Sequence, residues 1–272
     1  LNDIHCHLRQ GVIAEQLSSL AEVCLEEAYR LAGTELSRFG SPCYDEAGHT
    51  HTADLAIIGM GKLGGMELNY HSDLDIIFVY DHQGSTNGNK QISNHEYFAK
   101  LAQKLISILS TQTREGYVYK LDTRLRPSGN AGPLVTSLES FLAYHRNEAQ
   151  VWERQALAKA RVVIGEPVLR NSINDVLWLS VYGSSLGKEG RQEIHRLRMR
   201  MEHEIAKESV GSYNIKTGRG GMVDVEFITQ YLQLRYGCDN PQLRSHNTVA
   251  VLLEVQQLGL LSSKDTDTLI SC

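Results

Sequence analysis

Apolar residues recur at helical spacing over residues 11–38, where Ile13, Leu17, Leu20, Cys24, Ala28 and Leu31 form one stripe. The stripe predicts an amphipathic helix whose content is core packing. Gly40-Ser41-Pro42 ends it, and Tyr44 to Thr52 reads as a polar loop. The period then changes. Leu74 to Tyr80 carries the apolar run of a buried strand, and Val118 to Leu125 alternates between two faces. Between them Phe98, Leu101, Leu105, Ile108 and Leu109 predict a helix at about 94–113. From about 137 onward the chain reads as helical, apart from a short β-like stretch at Arg161 to Ile164. Helices are predicted at 190–209, 222–236 and 246–258. The first of these mixes Arg191, Arg196, Arg198, Arg200 and Lys207 with Glu193, Glu202, Glu204 and Glu208, as a solvated, salt-bridged helix does.

This order predicts an α+β fold, a mixed sheet with helices followed by a C-terminal helical bundle. The parts divide into an N-terminal helix and polar loop at 1–52, a core at 53–136 and a helical region at 137–272. A 42% hydrophobic content over 272 residues supports a real core. The net charge of −5 argues against a nucleic-acid-coating role. No run of 18 apolar residues exists, which argues against a membrane span. No signal peptide is visible, and the start without Met and the end without a helix stop read as those of an excised fragment. The five cysteines, Cys6, Cys24, Cys43, Cys238 and Cys272, are scattered and odd in number, as reduced cytoplasmic thiols are. His5-Cys6-His7 and His49-Thr50-His51 are spaced too closely for a structural zinc site.

The densest chemistry lies between Ile57 and Phe78. A strand runs into a Gly64-Gly65 turn, and the next strand opens with Asp73-Leu74-Asp75. Side chains alternate along a strand, so Asp73 and Asp75 share a face. Two ionised carboxylates that close are stable around a cation, and a hard divalent ion such as Mg²⁺ brings phosphates with it. Glycines let backbone N–H groups approach those phosphates. Glycines for phosphate and paired aspartates for metal describe a nucleotidyltransferase half-site. The same glycines match a dinucleotide-binding fingerprint, with Asp81 near the required acidic position. Yet only Met66 to Ser72 follow them before the next strand, too few for a crossover helix. A Walker A loop fails because Leu63, not Ser or Thr, follows Lys62.

Two-metal phosphoryl chemistry calls for a third acidic ligand from a neighbouring strand. Asp122 is the candidate. On its strand Val118, Lys120, Asp122, Arg124 and Arg126 share a face, and arginine forks suit phosphate oxygens. A salt-bridge ladder on a solvated strand is the structural alternative. The loop Ser128-Gly129-Asn130-Ala131-Gly132-Pro133 then reads as a connection or a mobile lid.

At this point four blocks resemble one family in its own order. Gly-Met-Gly-Lys-Leu-Gly-Gly-Met-Glu-Leu-Asn-Tyr-His-Ser-Asp-Leu-Asp (59–75) is similar to the signature of the glutamine synthetase adenylyltransferases. Leu-Asp-Thr-Arg-Leu-Arg-Pro (121–127), the stretch from Trp152 to Leu157 with Lys159-Ala160-Arg161, and the stretch from Ile215 to Ile228 resemble its later blocks. The resemblance implies a nucleotidyltransferase-like mixed sheet and a multifunctional enzyme of nitrogen regulation. One copy of its catalytic unit adds AMP from ATP to a tyrosine hydroxyl of glutamine synthetase, and another removes it by phosphorolysis. It further implies control by a PII-type nitrogen signal protein. Ser128 and the run from Phe227 to Leu232 look closer to the adding copy.

In that reading Asp73, Asp75 and Asp122 are the catalytic residues and hold two Mg²⁺ ions. Gly64, Gly65 and Ser72 bind the nucleotide, with Lys62, Arg124 and Arg126 as cationic help. Lys216, Asp224 and Glu226 are lesser candidates. Asp224 and Glu226 stand roughly 200° apart on a helix, so they do not share one metal. The rivals are the AMP-removing copy and a degenerate copy that only binds nucleotide or partner, which the presence of all three aspartates argues against.

Overall fold

The computed structural model describes residues 9–208 and 211–271. In chain order it begins with α1 (Gln10–Glu35), β1 (Pro42–Glu46), β2 (His49–Thr52) and β3 (Leu55–Gly59). There follow α2 (Gly61–Gly64), β4 (Leu74–Tyr80), β5 (Ser85–Thr86), α3 (Asn94–Ser110), β6 (Leu121–Asp122), β7 (Val135–Ser137) and α4 (Leu138–Asn147). The rest comprises α5 (Val151–Leu157), β8 (Arg161–Ile164), α6 (Pro167–Tyr182), α7 (Lys188–Met201), α8 (Met222–Tyr236), α9 (Thr248–Gln257) and α10 (Ser263–Ser271). The fold is a mixed sheet with helices and a helical C-terminal region. The chain forms two compact units, one built from the residues up to Glu148 with Ala160–Val176, the other from Ala149–Lys159 with Leu177 onward.

The first unit is organised by β3 and β4. Every residue of β3 is buried, and so is every residue of β4 except Asp75. They pair antiparallel, from Leu55 opposite Tyr80 to Gly59 opposite Ile76. An antiparallel pair has no crossover helix, which removes the dinucleotide-binding fold. Strand β8 pairs antiparallel with the far edge of β3. The other edge of β4 is shared end to end by two short parallel strands, β6 at Leu74 and Asp75 and β7 at Phe78 to Tyr80. Helices α1 and α3 cover a core that includes Leu25, Ala28, Ile57, Phe78, Phe98, Leu101 and Leu105.

Four expectations change. The polar loop at 44–52 is a β-hairpin, with Glu46 opposite His49 and Ala47 and Gly48 both at positive φ in the two-residue turn. The strand expected over Val118 to Leu125 survives only at Leu121 and Asp122. Asp122 Oδ1 accepts the Arg124 backbone N–H at 2.9 Å, a turn that takes the chain out of the sheet. Helix α1 is rotated from its predicted stripe: Ile13, Ser18, Ala21, Leu25, Ala28 and Ala32 are buried, whereas Leu20 and Leu31 are exposed. Small residues on that face let the helix backbone approach closely, a gain hydrophobicity alone does not register.

In the second unit α7 stops at Met201, and one π-turn follows at 202–206 before Lys207 turns left-handed. Its cation-rich surface conceals the fourth difference, because Arg198 is 6% exposed. Its guanidinium reaches Asp224 Oδ1 at 2.5 Å and the Gly218 carbonyl at 2.8 Å. A small apolar cluster of Leu232, Leu243, Val251 and Val255 holds α8 and α9 together.

Candidate active site

The glycine segment leaves β3 at Gly59 and winds into α2. Gly61 takes φ +50°, a left-handed conformation costly for any residue with a Cβ. A Cβ there would stand 3.1 Å from Asp75 Oδ2. The Asp75 carboxylate therefore lies directly against the glycine segment, and the Met60 N–H donates to the Asp75 carbonyl at 2.9 Å. The Gly64 and Gly65 amides, expected to approach phosphate, are engaged within the turn. The N–H groups of Gly64 and Gly65 donate to the Met60 and Gly61 carbonyls, at 3.1 and 3.0 Å, and both glycines are buried. In a helical turn the first N–H groups point outward, here those of Gly61, Lys62 and Leu63. Gly61 is thus the position that sequence reasoning missed, and its signal was the demand for positive φ beside a carboxylate.

Two of the three aspartates come from neighbouring strands, and the third immediately precedes one of them. Asp75 and Asp122 are register partners in the parallel β4–β6 pair, so both side chains project from one face. Asp73 precedes β4 and is exposed, two residues from Asp75 and on the same alternation. Ser72 is tied into the preceding turn, its hydroxyl accepting the Asn69 N–H at 3.2 Å. Lys62 sits half-buried on α2.

Arg124 lays its guanidinium across Asp122, with Nε 2.8 Å from Oδ2 and 3.0 Å from Oδ1. This hydrogen-bonded guanidinium, helped by the Arg124 backbone N–H and the Arg126 charge, holds the Asp122 carboxyl below the usual range against partial burial. In turn the Asp122 hydrogen bond and charge raise the Arg124 pKa, and Asp75 and Asp73 add to it. Asp122, Asp75 and Asp73 thus all bear on the Arg124 guanidinium. No three acidic, His or Cys groups are arranged as a metal cage among the described residues.

Arg126 departs from the expected phosphate fork. It bonds the Thr123, Gly132 and Pro133 carbonyls, at 2.8 to 3.3 Å. Its donors tie the two ends of the 123–133 loop together. Helix α1, read as plain packing, buttresses the glycine segment: its buried Ser18 hydroxyl accepts the Leu68 N–H at 3.2 Å.

The lesser candidates lie in the second unit and serve as scaffold there. Asp224 takes Arg198 on Oδ1 and the Gly220 N–H on Oδ2 at 2.7 Å. Glu226 pairs with the buried Lys159 at 3.9 Å. Lys216 is exposed, and its backbone N–H bonds the Asn214 side chain at 3.1 Å. The pair His49 and His51 stands exposed on β2, and His5-Cys6-His7 lies outside the described residues. None of the described helices is long and apolar enough to cross a membrane.

Residues 1–175 match the model of the glutamate-ammonia ligase adenylyltransferase family, and residues 189–272 match that of the GlnD PII-uridylyltransferases. A protein of Idiomarina loihiensis named bifunctional glutamine synthetase adenylyltransferase/adenylyl-removing enzyme is 40% identical over 266 residues, which cover 95% of this chain and 27% of that protein. One of the same name from Thioalkalivibrio sulfidiphilus is 39% identical over 266 residues, or 94% of this chain and 27% of that protein. The chain therefore spans about a quarter of the length of these relatives.

Proposed function

Because the chain belongs to the glutamate-ammonia ligase adenylyltransferase family, we propose that its first unit is a Mg²⁺-dependent nucleotidyltransferase that moves AMP from ATP to a tyrosine hydroxyl of glutamine synthetase. The observation that carries this reading is the register pairing of Asp75 with Asp122 beside Gly61. It sets two carboxylates on one face, next to a backbone turn with outward N–H groups. Asp73, Asp75 and Asp122 would hold the Mg²⁺ ions, whose chemistry is to stabilise the attacking and leaving oxygens.

The chain's own groups then divide the work. The amides of Gly61 to Leu63, with Lys62, hold the β- and γ-phosphates. Asp122 accepts the tyrosine proton as the hydroxyl oxygen bonds the α-phosphorus, and the bond to the β-phosphate breaks to release pyrophosphate. Arg124 leaves Asp122 and follows the phosphates. The reaction runs in the cytoplasm as part of nitrogen regulation. The likeness of residues 189–272 to PII-uridylyltransferases supports a PII-type protein as regulator.

Removal of AMP by phosphate is the second reading, favoured by the two activities in the relatives' names. Incubation of the chain with glutamine synthetase, ATP and Mg²⁺ decides between them. One added adenylyl group by intact mass, with pyrophosphate released, supports addition. ADP formed only from adenylylated glutamine synthetase and phosphate overturns it in favour of removal, and neither product marks a non-catalytic copy.

A further inference from the structure

The guanidinium of Arg161 reaches the glycine segment from behind. Arg161 stands opposite Gly59 in the β3–β8 register, so its side chain starts beside the point where the segment leaves the sheet. Its Nε donates to the Gly64 carbonyl at 3.1 Å and its Nη2 to the Leu63 carbonyl at 3.2 Å. The same Nη2 bonds Glu22 on α1. Arg161 and Glu22 are each about a quarter exposed at the side chain, at 27%. One planar fork thus ties three separate stretches of chain together, with a carboxylate fixing its orientation.

The chemistry of this contact is directional. The Leu63 and Gly64 carbonyls lie at the end of α2, opposite the N–H groups of Gly61, Lys62 and Leu63. A cation held on those carbonyls anchors one end of the turn, and the outward amides at its other end belong to the same single helical turn, closed by the Gly64 and Gly65 N–H bonds to the Met60 and Gly61 carbonyls. A Cβ on Gly61 would stand 3.1 Å from Asp75 Oδ2, so the turn and the carboxylate are closely apposed. A small rotation of the turn would therefore move the amides and the carboxylate together.

We propose that Arg161, oriented by Glu22, is the positioning residue of the nucleotide-phosphate turn. The inference rests on the nucleotidyltransferase reading above. Arg161 touches neither metal nor nucleotide and acts through the backbone of residues 61–64. Lysine cannot replace it, because a single ammonium does not span two carbonyls and a carboxylate in one plane. Glutamine at position 22 keeps the shape of the acid but removes the charge that orients the fork.

The test compares the wild-type chain with Arg161→Lys and Glu22→Gln. It reads binding of Mg²⁺ with a non-hydrolysable ATP analogue by calorimetry, thermal unfolding, and steady-state KM and kcat for ATP. The expected result is at least a fivefold rise in Kd and in KM for ATP in both variants, with kcat within about threefold of wild type and a folded transition retained. If Arg161→Lys fails to fold, Glu22→Gln alone carries the test, since it leaves the arginine in place. Wild-type nucleotide affinity in a folded Glu22→Gln variant overturns the positioning role. A wild-type chain that binds no nucleotide overturns the nucleotidyltransferase reading instead.

Discussion

Asp75 and Asp122 face each other in register across a parallel strand pair, although a helix and a turn lie between them in sequence. Parallel neighbours have side chains on the same side of the sheet, roughly 5 Å apart along the ladder. The pair is therefore a product of pairing register, and a one-residue slip of β6 would turn Asp122 away.

Asp75→Asn and Asp73→Asn are each expected to remove AMP transfer, by on the order of a thousandfold or more, through loss of several kcal/mol of transition-state stabilisation. Asparagine keeps the shape, so circular dichroism and the unfolding midpoint stay near wild type. A variant that retains a tenth of wild-type turnover would take that carboxylate out of the mechanism.

Gly61→Ala places a methyl group against Asp75 Oδ2 and forces a left-handed backbone on a residue that disfavours it. The expected outcome is a stability loss of about 1 kcal/mol and a fall in turnover larger than that loss explains. Denaturant titration beside an activity assay separates the two. Equal activity per folded molecule would show that Gly61 serves the turn alone.

His145 gives a pH dependence. Its ring packs edge-on against Phe141 and Tyr144, and neither ring nitrogen has a hydrogen-bond partner among the described residues. Burial pushes its pKa down to about 4. The unfolded chain binds this proton near pH 6.5 and the folded chain does not, so the stability contribution is complete above 6.5. It falls as pH drops from 6.5 to 4, by up to about 3 kcal/mol. Thermal midpoints of His145→Phe should lose that part of the slope. An unchanged slope would mean that the ring is solvated.

Arg198→Met should destabilise the second unit by about 3 kcal/mol, because it strands the Asp224 carboxylate and the Gly218 carbonyl. The loop ahead of α8 should become the preferred site of limited proteolysis. Protection equal to wild type would show that Asp224 holds this loop through its Gly220 contact alone.

What could be read from the sequence follows from how local each feature is. The strand at Leu74 to Tyr80 was legible as a continuous apolar run, and the helix at 222–236 by its place after the Gly220-Gly221 turn. Strand alternation reads Asp73 and Asp75 as a same-face pair, and of the two only Asp75 lies within β4. Asp122 reads onto a neighbouring strand, as the β4–β6 pairing has it, but its register opposite Asp75 was not legible, because it depends on where a two-residue strand docks. Nor was the role of Arg126, since a guanidinium on an alternating strand serves phosphate or carbonyl oxygen equally well until the Asp122 turn is known. Arg198 shows the same limit, because helical charge patterning does not reveal which cation a distant carboxylate will bury. Gly61 was hidden beside Gly59, Gly64 and Gly65 in the same segment.

The pairing of β8 with β3 also orders events in time. A chain emerging from the ribosome has Gly61, Asp73, Asp75 and Asp122 long before Arg161 appears. Until then β3 lacks its outer partner and the glycine turn lacks its strut. Such distant pairings close slowly, since loop entropy must be overcome first. A nascent chain that ends before β8 would carry all three aspartates with the glycine turn still unbraced, so the turn is completed only with the last strand of the sheet.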